Sequence, residues 1–72
     1  MIELRFHRDV YAGEAVDAAA NLFARFGRLE RIEEPTHWVV RVTARDPARE
    51  RQLAGELGNH ALGLSAERRG QP

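Results

Sequence analysis

Seventy-two residues leave room for one small domain with one thin core; chains of this size bury only about 60% of their unfolded surface. Eleven arginines, with no lysine, balance eleven acidic residues, so the chain has no general attraction for phosphate backbones or anionic lipid. The absence of cysteine excludes a disulfide staple and any cysteine-based zinc site.

Small chains lacking both often dimerise or dock on a partner. No apolar run approaches the roughly 18 residues of a membrane span. The first residues already read as a strand rather than a signal peptide. The expected location is the cytoplasm, with no membrane contact.

Ile2, Leu4 and Phe6 alternate with Glu3, Arg5 and His7, the period of a half-buried strand. Asp9 to Gly13 is a connection, with Val10 and Tyr11 expected to pack inward. From Glu14 to Phe26, apolar residues at 15, 16, 19, 22, 23 and 26 mark an amphipathic helix. Its acidic start and basic end suit the helix dipole, and Gly27 is the expected stop. Arg28 to Glu34 reads as a second strand. There Leu29 and Ile32 fall on opposite faces, so either Leu29 belongs to the helix–strand corner or a bulge re-aims one of them.

Pro35-Thr36 makes a turn. Trp38, Val40, Val42 and Ala44 then alternate with His37, Val39, Arg41 and Thr43, the clearest strand in the chain. Asp46-Pro47 is a helix start signal, a capping carboxylate followed by proline at the first helical position. The helix it opens is expected to run to about Ala66, with Leu53, Leu57, Ala61 and Leu64 on one stripe. It carries Gly55, Gly58 and Gly63, each costing about 1 kcal/mol against alanine. Such a helix must be held by packing, which predicts a close approach to the sheet or the other helix. Gly58-Asn59 is where it would kink.

The order β-α-β-β-α predicts an α+β fold: one two-layer domain over residues 1–67, followed by a mobile tail, 68–72. The economical topology is a three-stranded antiparallel sheet in the order 1-3-2, with both helices on one face. This is a ferredoxin-like half fold lacking its last strand, and it leaves the first strand as an open edge. The expected core unites Leu4, Phe6, Val16, Leu22, Phe23, Phe26, Trp38, Val40, Leu53 and Leu57.

Chemistry is sparse. His7 and His37 end and begin neighbouring strands on one face, but His60 lies across the sheet and no third ligand is evident, so no metal site is expected. Ser65 is the only serine and has no nucleophile-elbow context. Glu33 and Glu34 point to opposite faces and cannot act as a pair. The glycines follow no strand, so they form no phosphate loop. No catalytic residue and no cofactor is called for. Arg25, Arg28, Arg31 and Arg41 with Trp38 would make a nucleic-acid surface, but Glu30, Glu33 and Glu34 interleave with them.

Arg8-Asp9-Val10-Tyr11 followed by Glu14-Ala15-Val16-Asp17-Ala18-Ala19 resembles the start of the D protein of the His-Xaa-Ser system (HxsD). The likeness runs on through the hairpin Arg31 to Val42 and into Glu56 to Leu62, covering roughly residues 2 to 67. These motifs are generic, and this chain lacks that family's C-terminal extension. The resemblance implies a small accessory protein working beside radical-SAM maturases and a repeat-bearing precursor peptide. It carries over no catalytic residue.

Two functions follow from different classes. One is a non-enzymatic adaptor that holds a peptide or a maturation enzyme along the first strand, with Glu3, Arg5 and His7 lining the edge and Tyr11 closing its end. That reading places a groove between the first strand and the helix from Glu14 to Phe26. The other is a self-associating domain, a homodimer through sheet edge or face. Nucleic-acid binding ranks third.

Overall fold

A computed structural model describes residues 1–69. Strand β1, Ile2–His7, leads to helix α1, Gly13–Phe23, whose last turn tightens into a 3₁₀ turn at Ala24–Phe26. Strand β2, Arg28–Glu33, and strand β3, His37–Thr43, precede helix α2, Pro47–Arg69. The sheet order is β1-β3-β2, with β3 antiparallel to both neighbours. The α+β architecture and strand order match the sequence expectation.

Registers Leu4↔Val40↔Arg31 and Arg5↔Val39↔Ile32 fix the two faces. Phe6, Val40 and Val42 point toward the helices and form one buried cluster with Val16, Ala19, Leu53, Ala54, Leu57 and Ala61. The two helices lie side by side, with α2 over β1 and β3 and α1 over β3. At 1.5 Å per residue α2 is about 34 Å long. It outruns β3, which spans about 23 Å.

Asp46 caps α2 as its sequence requires: Oδ1 accepts the Ala48 N–H at 2.9 Å. Glu50 reaches back from the same turn, accepting the Ala44 N–H at 3.1 Å and the Met1 ammonium at 2.7 Å. One carboxylate thus ties the start of β1 to the β3–α2 corner. At the far end, Ser65 is 2% exposed and accepts the Ala12 N–H at 3.2 Å, joining α2 to the entry of α1.

Several expectations give way. Leu22 and Phe26 are 51% and 56% exposed. Phe26 lies in the 3₁₀ turn, where three residues per turn rotate it off the stripe that a continued α-helix would have drawn. Leu22 sits at the margin of that stripe. Leu4, Phe23 and Trp38 are half-buried against the cluster rather than inside it. Val10 is 45% exposed, whereas Tyr11 packs inward, its ring edge-on to Phe6 at 4.9 Å.

Leu29 and Ile32 do stand on opposite faces, and β2 pairs without a bulge. Leu29 packs on the core, and Ile32 lies beside Val39 on the face without helices. Helix α2 is unbroken at Gly58-Asn59 and continues to Arg69, past the expected end at Ala66 and into the expected tail. The remainder of that tail, 70–72, lies outside the described residues.

The close approach expected at the α2 glycines is found elsewhere. A β-carbon at Gly55, Gly58 or Gly63 would meet nothing within 4 Å. At Gly27 it would lie 2.7 Å from Leu53 and 2.9 Å from the Thr43 carbonyl oxygen, and at Gly13 2.8 Å from the Trp38 ring. Gly27 is extended, φ −177°, so space rather than backbone angle demands glycine there. It lets the chain turn from α1 into β2 beneath α2.

Gly55→Ala and Gly63→Ala should therefore each stabilise the fold by about 0.5–1 kcal/mol. Gly27→Ala should destabilise it, and Leu57→Ala should cost about 2–5 kcal/mol. Urea midpoints at constant m-value measure all four. A Gly27→Ala protein as stable as the parent would refute the close packing at that corner.

Candidate functional site

The first strand is the open edge. The Arg8 N–H donates to the Thr36 carbonyl at 3.0 Å. In an antiparallel ladder this sets the phase, because residues alternate between bonding the neighbour and facing away. Ile2, Leu4 and Phe6 therefore bond β3, and the backbone groups of Glu3 and Arg5 and the His7 N–H point outward, while the His7 carbonyl accepts the Val10 and Tyr11 N–H groups at 3.0 and 2.9 Å. The Glu34 N–H···O His37 bond at 2.9 Å gives the matching phase for β2, whose outward residues are Leu29, Arg31 and Glu33.

The two edges are protected differently. On the helix face β2 presents Arg31 and Glu33, and Arg31 forms ion pairs with Asp17 of α1 and with Glu33. Inward charges of this kind discourage a further strand. On the same face β1 presents only Ile2, Leu4 and Phe6, with Ile2 and Leu4 half-buried. A strand added there would cover apolar surface instead of stranding a charge.

The sequence-predicted residues Glu3, Arg5 and His7 share the face without helices, as expected, and there they are already engaged. Arg5 grips Glu34, the residue after β2, through both terminal nitrogens, at 2.6 and 3.3 Å, spanning β3 diagonally. Arg41 of β3 pairs with Glu3 at 3.6 Å and Glu30 at 3.2 Å. Between these two rows Val39 is fully buried, roofed by the stems of long charged side chains. The His7 and His37 rings meet edge to face at 4.9 Å, directly paired in the register. The His7 Nδ1 accepts the Asp9 N–H at 3.1 Å, and the His37 Nδ1 is bonded to the Thr36 hydroxyl at 2.8 Å. Among the described residues no three metal-ligating side chains converge.

Tyr11 stands at the end of this edge, its N–H donating to the His7 carbonyl at 2.9 Å. It lies in the helix layer, and its carbonyl accepts the Trp38 indole N–H at 3.2 Å, while the Arg8 guanidinium covers the outer side of that ring at 3.8 Å. His60 likewise belongs to the helix layer, edge-on to Phe23 at 5.8 Å. The helix flanking β1 is α2, not α1. The groove expected between β1 and α1 lies instead between α1 and β2, where an open cleft of about 370 Å³ is lined by Gly13, Asp17, Arg31 and Trp38 among others.

The arginines also sort in a way the sequence did not indicate. Arg31 and Arg41 are consumed by carboxylates. Arg25 and Arg28 sit at the opposite corner, beside Arg45 and Arg49. The supposed nucleic-acid surface on the sheet does not exist as a continuous patch. Sequence spacing missed Glu34 as the partner of Arg5, because the two are 29 residues apart, one on β1 and the other just past the end of β2, with β3 between them.

No family model matches this chain, and no curated protein or solved structure matches it significantly. No helix among the described residues is long and apolar enough to cross a membrane.

The hydrogen bond from Arg5 holds the Glu34 carboxyl below its ordinary range and raises the Arg5 guanidinium. The Met1 ammonium, followed by the Ala44 N–H, does the same to Glu50. A carboxylate whose folded pKa is depressed adds stability above its unfolded pKa, and that stability is lost as pH falls through the folded value. The urea midpoint should therefore decline as pH drops below the usual carboxylate value of about 4.3. Glu34→Gln should flatten that acid limb, and an unchanged slope would show that the pair is absent in solution.

Proposed function

We propose that this protein is a non-enzymatic adaptor whose β1 edge holds an extended peptide segment, from a substrate peptide or from a partner enzyme. The supporting observation is the contrast between the edges: β2 is guarded by inward charge, and β1 is not. An incoming strand takes up the outward backbone groups of Glu3 and Arg5 and the His7 N–H, which gives affinity independent of sequence. Its alternate side chains cover Ile2 and Leu4 beside α2 and select for apolar residues there. The resemblance of Arg8 to Tyr11, Glu14 to Ala19, Arg31 to Val42 and Glu56 to Leu62 to the D protein of the His-Xaa-Ser system points to a peptide-maturation setting.

Self-association is the second reading, and one feature favours it. Two copies of β1 paired antiparallel about Leu4 place Glu3 opposite Arg5 twice and Phe6 opposite Ile2. Opposite charges across strands add roughly 0.2–1 kcal/mol per pair. The edge is thus complementary to itself as well as to a peptide.

Glu3→Pro tests both readings. Its N–H points away from β3, so proline removes an outward donor without breaking the sheet. The variant should melt close to the parent and lose peptide binding. In the parent, adding the precursor peptide or maturase should shift amide NMR signals of residues 2–8. Shifts confined to α2 would show that the edge is not the binding surface. Sedimentation across a wide concentration range separates the second reading: a dimer abolished by Glu3→Pro supports it, and a strict monomer removes it.

A further inference from the structure

At the corner opposite the β1–β3 histidine pair, the end of α1, the start of β2 and the β3–α2 junction enclose an open cleft of about 550 Å³. Its lining includes Arg25, Arg28, Arg45 and Arg49, with Phe26, and no acidic residue. Four of the eleven arginines of a neutral chain are thus gathered at one place.

Their charge is not answered locally. Arg28, Arg45 and Arg49 enter no ion pair or hydrogen bond among the described residues, and Arg25 lies over the Phe26 ring at 4.9 Å. The neighbouring carboxylates have other tasks. Asp46 caps α2 through the Ala48 N–H, and Glu50, 12% exposed, is held by the Met1 ammonium and the Ala44 N–H. Elsewhere the arginines of the sheet are matched one by one with Glu or Asp. The corner is the exception, and the exposed ring of Phe26 stands within it.

We infer that this corner binds an acidic peptide segment of a partner protein, with aspartate or glutamate side chains around one apolar residue. Guanidinium forks match carboxylates in bidentate geometry, and Phe26 supplies an apolar anchor of the kind that carries binding energy. A nucleic acid fits less well. Binding a single strand requires a charged track with successive stacking rings, and among the described residues this cleft has one ring. The site is separate from the β1 edge, and its occupancy does not depend on peptide binding there.

The probe is a blocked pentapeptide, Glu-Glu-Leu-Glu-Glu, titrated into the full chain by NMR at low and moderate salt. The expected shifts fall on residues 25–28 and 43–49, and binding weakens as salt rises. Arg28→Glu and Arg45→Glu should each lower affinity about tenfold or more. Phe26→Ala should weaken binding with no change in its salt dependence. Arg51→Glu, on the same helix but outside the cleft, should bind as the parent does. Melting curves confirm that each variant is folded, and Arg49→Gln provides a milder version of the charge change. The inference is overturned if the pentapeptide produces no shifts at millimolar concentration. It is also overturned if the shifts fall on residues 2–8, if Arg51→Glu weakens binding as much as Arg45→Glu, or if a short oligothymidylate binds more tightly at equal salt.

Discussion

Strand β3 is hydrogen-bonded along both edges, and the rest of the molecule is arranged around it. Val40 and Val42 anchor the helix-facing core, and Val39 is equally buried on the other face. A strand covered on both faces reads as a near-continuous apolar run, and Trp38-Val39-Val40 is such a run. Because β3 is antiparallel to both neighbours, β1 and β2 run parallel to one another without touching. The chain between them, α1, therefore crosses over the sheet. Helix α2 then lies beside α1 and over β1 and β3.

The face without helices shows how so small a domain closes its second surface. There is no second layer to bury Val39. The cover comes from rows of charge, Glu3–Arg41–Glu30 and Arg5–Glu34. Exposed pairs of this kind contribute little individually, often under 1 kcal/mol. Their effect is geometric: they hold long aliphatic stems over one valine and occupy side chains that would otherwise seem free to bind. The residues of β1 that look most like recognition residues are therefore engaged through their side chains, and it is their backbone that faces outward.

Placement also divides the surface by function. The β2 edge is closed by the Arg31–Asp17 bridge to α1. The β1 edge is apolar beneath and unguarded. The third feature, the arginine corner, arises where the α1–β2 and β3–α2 turns meet and the local carboxylates are spent on capping and on the N-terminal ammonium. A neutral chain thus carries its charges unevenly, matched on the sheet and unmatched at this corner.

Much of the fold was legible in the sequence because its signals are local. The alternation of Ile2 to His7 and of His37 to Thr43, the Asp46-Pro47 start and the turn at Pro35-Thr36 each depend on neighbours a few residues away. The strand order followed from the economy of joining those elements. Tertiary structure alone decided which glycines are crowded: Gly13 and Gly27 meet Trp38 and Leu53, contacts between residues more than twenty positions apart. It likewise turned Phe26 out to solvent by tightening the end of α1. It paired Arg5 with Glu34 across an intervening strand, and it brought Arg25 and Arg28 of the α1–β2 corner together with Arg45 and Arg49 of the β3–α2 corner. Periodicity tells which face of an element is apolar. It does not tell which other element will lie against that face, because that depends on packing between segments distant in the chain.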